Sequence, residues 1–287
     1  MSTWAQSLWC ALVVALSLFM VIWVWIGPAS WRLGWNRLPG SAMHRAMLEE
    51  YFRQQTADGS LGLVPRSLVF KYEGHTAVQT CHGLASGIWS CLVPFQFHAA
   101  FCRRFPSWHR WMGRLFLSLS ALMMVGLALL FQQGFVCTQY NYGDVASPEL
   151  KFKDTMGTVG MALWFVHTGG RAWWAIRHGR IAQHQAWMIR HVSTSLWVAL
   201  QQIFLNVVFG PAQTRLQQCE NFSNSGVLGI GVGLAVGELA VVGLIPGGGT
   251  HIKTTSHGGN ASKTKCRINA TFISNGASVR SNSDANM

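Results

Sequence analysis

Long apolar runs separated by short polar segments dominate the chain. Six of these runs approach or exceed about 20 residues, the length of helix that crosses a hydrocarbon core of about 30 Å. The pattern therefore predicts an all-α, polytopic membrane protein with about six transmembrane helices, the inner four of which form a four-helix core at residues 78–210. The runs are residues 8–27, 78–101, 115–136, 156–176, 192–210 and 226–245.

The segments outside the runs have a different composition. Residues 28–77 carry charges of both signs and are predicted to be an extracytoplasmic segment. Residues 246–287 are rich in Gly, Ser, Asn and Thr and poor in large apolar side chains, which is typical of a disordered polar tail. Overall the sequence is 50% hydrophobic and only 11% charged, with 14 Trp, a balance unlike that of a soluble domain of this length.

The last apolar run, residues 226–245, is unusual in its small residues and its acid. Its glycine spacing resembles a nucleotide-binding loop, but it follows no predicted strand, so the glycines indicate close packing between helices. Glu238 lies in the middle of this run. We expect a neutral carboxyl hydrogen-bonded to a neighbouring helix, because burial favours the uncharged form. A proton or ion role is the alternative.

Two basic segments, residues 101–114 and 176–191, determine the predicted orientation. Neither contains an acid, whereas residues 137–155 contain three acids and two lysines. Since Lys and Arg near helix ends favour the cytoplasmic side, both basic segments are predicted to be cytoplasmic, together with the N-terminus and the tail. Residues 28–77, 137–155 and 211–225 are then outside. The arginines of the basic segments are Arg103, Arg104, Arg110, Arg114, Arg177, Arg180 and Arg190.

This orientation also accounts for the formal net charge of +12. The excess of basic residues belongs to membrane orientation and contact with the lipid bilayer. The sequence contains no folded basic module of the kind that binds nucleic acid, so nucleic acid is not a predicted partner.

The basic segments also contain candidate ligand-binding residues. Guanidinium groups bind carboxylates and phosphates through paired hydrogen bonds, and residues from both segments converge if the adjacent helices pack together. We therefore predict a possible site for an anionic small molecule or an anionic lipid. The alternative is that the same residues only anchor the protein at the membrane interface. The candidates are His109, Arg110, Arg114, His184, Trp187 and Arg190.

Histidines within the apolar runs suggest a second class of function. Neutral imidazole is the usual axial ligand of haem b, and helical bundles hold haem between facing helices. His82 and His167 are the best pair by predicted depth, which makes a haem b electron-transfer protein the alternative hypothesis. The simpler interpretation is that these rings hydrogen-bond to neighbouring helices.

Other chemical signals are few. Cys137 and Cys219 both follow predicted spans on the outer side, where they are either a disulfide or two free thiols. The sequence has no nucleophile elbow, zinc-protease motif, phosphate-binding loop or Cys-x-x-Cys pair.

The inner four runs resemble a known family. The motifs occur in order across residues 75–210 and are the stretch from His82 to Phe97, the segment Trp108-His-Arg-Trp-Met-Gly-Arg114, Trp164, and the segment His184-Gln-Ala-Trp-Met-Ile-Arg190. Together they resemble the DUF2306 family of predicted membrane proteins, whose function is unknown. The resemblance implies a compact polytopic core and implies no reaction.

Overall fold

The structure, a computed structural model, describes residues 2–21, 49–50, 53, 61–64 and 75–244. Every regular element within these ranges is helical. The predicted tail and most of the predicted extracytoplasmic segment lie outside the described residues. The α-helices are α1 Ser2–Val21, α2 Thr76–Val78, α3 Ala85–Phe97, α4 Ala99–Arg104, α5 Pro106–Gln132, α6 Cys137–Tyr142, α7 Pro148–Arg177, α8 Ile181–Ser195, α9 Trp197–Phe204 and α10 Arg215–Leu244. The π-helical segment Gln79–Leu84 joins α2 to α3, and a second one, Leu205–Phe209, follows α9.

Three helical segments are long and apolar enough to cross a membrane among the described residues: Pro106–Gln132, Ile181–Phe209 and Arg215–Val242. They correspond to the third, fifth and sixth predicted runs. Trp9–Val21 in α1 is a shorter apolar helix. The all-α class and the membrane-spanning character are therefore supported, whereas six spans and a four-helix core are not confirmed.

The second and fourth predicted runs are not among the three segments that are long and apolar enough to cross a membrane, and their helices show why. Helix α3 continues through Pro94 but ends at Phe97, because His98 is extended, with φ −78° and ψ 103°. The His98 ring instead accepts a hydrogen bond from the backbone N–H of Phe101 and caps α4. Helix α7 is continuous, but it carries acidic and basic side chains near its beginning and arginines near its end.

The sequence pattern placed the two basic segments between helices. In the structure, most of their residues belong to helices. Helix α5 begins at Pro106, well before the predicted start at residue 115, and α8 begins at Ile181. Only a short turn joins α7 to α8, and Gly179 in it has φ +68°, which side chains with a Cβ rarely adopt. The charged residues therefore project from helical surfaces at the helical period.

The helices pack in a ring around an apolar core. Helix α1 packs against α3 and α10, α3 against α5, and α5 against α7. Helix α8 packs between α7 and α10, and α9 lies against α10. Two large side chains that are fully buried in the core, Trp89 and Phe116, stack with their ring centroids 4.6 Å apart.

Glycines allow α10 to approach its neighbours closely. A Cβ at Gly229 would lie 2.7 Å from the carbonyl oxygen of Trp197, and one at Gly233 would lie 2.9 Å from that of Ser193. Gly231, on the opposite side of the helix, faces open space. The predicted packing through small residues is therefore confirmed.

The segments predicted to be outside meet at one end of the helices. The backbone N–H of Leu61 donates to the carbonyl of Ala212 at 2.8 Å, which joins residues 61–64 to the segment before α10. Arg215 at the start of α10 forms an ion pair with Asp144, which lies between α6 and α7. Described residues of all three segments therefore lie at one end of the helices, and the side of the membrane that this end faces stays a prediction.

Of the two cysteines predicted to be either a disulfide or two free thiols, the structure describes the side chain of Cys219 only. Cys219 carries a free, buried thiol. The side chain of Cys137 lies outside the described residues.

Candidate functional site at the inner ends of the helices

His109 and His184 bring the two basic segments together. The Nδ1 atom of His109 is 3.4 Å from Sγ of Cys102, and the Nδ1–H of His184 donates to the carbonyl of Ala172 at 2.9 Å. The two imidazoles are close enough to interact electrostatically. The starts of α5 and α8 are thus near enough for these two imidazoles to interact, and a shared ligand site there stays a prediction.

Cys102 lies at the edge of this site. Its thiol donates to the carbonyl of Gln96, with Sγ 3.4 Å from the oxygen. Burial is the largest influence on this thiol and raises its pKa, so the side chain stays protonated at neutral pH. Cys102 is therefore a hydrogen-bonding neighbour of His109 and not a thiolate nucleophile.

The arginines at this end are exposed and, within the described part of the chain, none of them except Arg190 pairs with a carboxylate. Arg110 donates to the hydroxyl of Ser107 at 3.3 Å. Arg180 lies 4.6 Å from the ring centroid of Trp174. Trp108 and Trp111 expose 62% and 56% of their surface, as interfacial tryptophans do. The exposed arginines are Arg103, Arg104, Arg110, Arg114, Arg177 and Arg180.

Arg190 differs from the other predicted ligand residues. Its Nε and an Nη donate to the two carboxylate oxygens of Glu238 at 2.6 and 2.7 Å, which joins α8 to α10. Its guanidinium also lies 4.8 Å from the ring centroid of Trp187. Glu238 is therefore an ionised partner in a paired-hydrogen-bond ion pair, and the expectation of a neutral carboxyl is corrected, because the guanidinium supplies the counter-charge.

The two haem candidates have different neighbours. His82, in the π-helical segment, has Nδ1 3.4 Å from the carbonyl of Met123 on α5. His167 is exposed on α7, where its ring stacks on Trp164 at 5.5 Å and meets the edge of Trp187 at 5.4 Å. The structure therefore does not bring His82 and His167 together, because one ring faces α5 and the other lies between α7 and α8.

A buried polar cluster at the centre of the helices was not predicted. Trp89 donates its indole N–H to the hydroxyl of Ser120 at 2.9 Å, and that hydroxyl is 2.9 Å from Nε2 of His191. On the other side of the ring, Nδ1 is 3.1 Å from both the hydroxyl of Thr168 and the carbonyl of Phe165. The four side chains come from α3, α5, α7 and α8, so the cluster joins these helices at one point.

The hydrogen bonds of this cluster fit a neutral imidazole. If Nδ1–H donates to the carbonyl of Phe165, then Nε2 is an acceptor for the Ser120 hydroxyl, whose single hydrogen can instead go to the carbonyl of Phe116 at 3.0 Å. The ring is 1% exposed and stacks on Phe165 at 4.0 Å. The sequence contained one signal for it: His191 follows His184 by seven residues and so lies on the same side of α8.

Metal binding has no support in the described ranges, since no group of three His, Cys, Asp or Glu side chains there could hold an ion. The chemistry available at the inner end is therefore cationic and aromatic: guanidinium donors, two imidazoles and tryptophan rings.

Comparisons with known proteins agree with this architecture. A family model described as "Predicted membrane protein (DUF2306)" matches residues 79–240. The match extends beyond the predicted core boundary at residue 210 and includes both Arg190 and Glu238. No curated protein and no solved structure shows significant similarity to the chain.

Proposed function

This chain belongs to the DUF2306 family of predicted membrane proteins, and we propose that its inner end binds the anionic headgroups of membrane lipids. The chain is a multi-pass integral membrane protein, so lipid headgroups are the anions always present at that end. The observation that carries the proposal is that exposed arginines from two packed helices have no carboxylate partner in the described residues.

The physical basis is electrostatic attraction at the membrane surface. Each Lys or Arg near an anionic leaflet contributes about 1 kcal/mol to binding. Arg110 and Arg114 lie one turn apart on α5 and project from the same side, so they can contact one phosphate group together. Tryptophan rings beside the arginines hold the guanidinium groups near the headgroup level.

The proposal is tested by measuring which lipids stay bound to the purified protein. We expect native mass spectrometry to show that the wild type retains phosphatidylglycerol in preference to phosphatidylcholine. The double variant Arg110→Gln/Arg114→Gln removes two cations, so its preference should fall by about 30-fold, equivalent to about 2 kcal/mol.

Arg215→Gln is the matched control, because Arg215 is also exposed but lies at the outer end and is paired with Asp144. This variant should keep the preference of the wild type. Equal retention of the two lipids by the wild type, or equal loss in the control and the double variant, would contradict headgroup binding at the inner end.

A further inference from the structure

Two arginines flank the ring of Trp187, and only one of them has an acidic partner. Arg190 lies 4.8 Å from the Trp187 ring centroid and is paired with Glu238. Arg171 lies 5.3 Å from the same centroid and 5.5 Å from that of Trp174. In the described part of the chain, Arg171 has no carboxylate partner and no hydrogen bond from its guanidinium to a side chain or backbone group.

The position of Arg171 makes this difference costly. It lies six residues before Arg177, where α7 ends at the inner turn, and so about 9 Å from that turn along α7, which the sequence predicts as the fourth span. Within that predicted span a bound anion would offset the cost of this charge, which the rings of Trp174 and Trp187 do not neutralise.

His167 provides a second polar group on the same stripe of α7. It precedes Arg171 by four residues, which places both on one side of the helix. Its ring packs against Trp164 and Trp187, and within the described ranges neither ring nitrogen has a hydrogen-bond partner. A ligand bound by Arg171 can therefore accept a further hydrogen bond from His167.

The surface of α7 beyond these groups is apolar. Leu163 and Val166 expose 67% and 55% of their surface and continue from His167 towards the outer end. A ligand with a polar head at Arg171 and a hydrocarbon chain along this surface would match both parts.

We infer that Arg171 and His167 bind the carboxylate of a long-chain fatty acid, whose chain lies along the exposed apolar side of α7. The carboxylate of the fatty acid forms the ion pair with Arg171 that Glu238 forms with Arg190. A carboxylate fits better than a lipid phosphate, because Arg171 lies deeper than the arginines of the inner turn. The inference requires the membrane orientation and is otherwise independent of headgroup binding at Arg110 and Arg114.

The test uses the full chain in nanodiscs of neutral lipid, with dibrominated stearate as the probe. Bromine quenches nearby tryptophan fluorescence, and Trp164, Trp174 and Trp187 surround the proposed site. We expect saturable quenching by the acid and only weak, non-saturable quenching by its methyl ester. Arg171→Gln should weaken the apparent affinity for the acid by about tenfold, as loss of a charge-assisted pair predicts. His167→Gln should weaken it less.

Two controls separate this site from the proposed headgroup site. Arg215→Gln and the double variant Arg110→Gln/Arg114→Gln should bind the probe as the wild type does. Equal quenching by acid and methyl ester, or unchanged affinity in Arg171→Gln, would overturn the inference. Tighter, Arg171-dependent binding of a dibrominated phosphatidic acid would overturn the choice of a carboxylate. The acid and its methyl ester are compared on the wild-type protein, so this part of the test does not depend on whether a variant folds.

Discussion

Polar groups at the centre of the helices are buried and hydrogen-bonded within the protein, whereas those at the inner end are exposed. At the centre, His191, Ser120 and Thr168 are buried and hydrogen-bonded to one another or to backbone groups. At the inner end, Arg110 and Arg180 are exposed, and in the described residues neither pairs with a carboxylate. The comparison shows that the polar groups at the centre have partners within the protein, whereas these arginines have no carboxylate partner among the described residues; lipid headgroups are the partners that we propose for them.

Solvation explains the difference. A polar group at the centre of a membrane protein cannot exchange its partner for water, so each missing hydrogen bond costs free energy. An arginine near the interface extends its guanidinium to headgroups and water, and its aliphatic part covers apolar surface. Substitutions at the centre should therefore affect stability, and those at the inner end should affect binding.

The largest loss of stability is expected for His191→Ala. The substitution removes the ring that joins α5, α7 and α8, leaves a cavity and leaves the Ser120 hydroxyl with one partner fewer. We expect the free energy of unfolding to fall by about 4 kcal/mol. Unfolding in a titration with SDS measures the change. His178→Ala, at an exposed ring on the inner turn, is the control and should change stability by less than about 0.5 kcal/mol. Similar losses of unfolding free energy in His191→Ala and His178→Ala would contradict the expected difference in stability between the centre of the helices and their inner end.

Breaking the ion pair between α8 and α10 should have the next largest effect. Glu238→Gln leaves the Arg190 guanidinium without its counter-charge within the membrane span, at a cost of about 3 kcal/mol. The double variant Glu238→Gln/Arg190→Gln removes the unpaired charge and should recover part of that loss. Arg190→Gln alone completes the comparison. If the loss of stability in the double variant equalled the sum of the losses in the two single variants, the two residues would not be coupled.

A smaller effect is expected where α10 packs closely. Gly229→Ala places a Cβ 2.7 Å from the carbonyl oxygen of Trp197, so the helices must separate. We expect a loss of about 2 kcal/mol. Gly231→Ala on the open side of the same helix should be neutral or slightly stabilising, because Ala favours helix more than Gly. The thermal unfolding midpoints of the two variants in one detergent give the comparison, and equal midpoints would argue against the close approach.

The smallest effect on stability is expected at the inner end. Arg110→Gln/Arg114→Gln removes two exposed charges that have no protein carboxylate, so unfolding in neutral detergent should change by less than about 0.5 kcal/mol. The same variant should lose its preference for anionic lipid. A large loss of stability in neutral detergent would show that these arginines have a structural role within the protein.

The helical class and the third, fifth and sixth apolar runs were predictable, because hydrophobicity over about 20 residues is a local property of the chain. The beginnings of α5 and α8 were not, since residues 106–114 and 181–191 are too polar to stand out as apolar runs although they are helical. The break at His98 was also missed, because no proline or glycine there marks the end of a helix.

The candidate ligand site stays a prediction, and the structure gives only the positions of its residues. His109 and His184 do come together, as the pairing of adjacent basic segments suggested. His82 and His167 do not, because the side of a helix that a ring occupies depends on local geometry such as the π-helical segment at His82. His191 was overlooked, since its spacing of seven residues from His184 places the two rings on one side of α8 but does not show that the ring of His191 is buried.

By itself, the sequence determined the membrane class and the clustering of cations in two segments, because both follow from composition and from the order of charges along the chain, and it predicts the orientation from the same charges. Only the tertiary structure decided that Arg190 is paired with Glu238, that Arg171 is not paired with a described acid, and that His191 joins four helices. The pairing of Arg190 and the position of His191 depend on contacts between residues 23 to 71 positions apart in the chain, such as Thr168 with His191 and Ser120 with His191. Such contacts exist only once the helices have packed, and packing selects which polar groups meet.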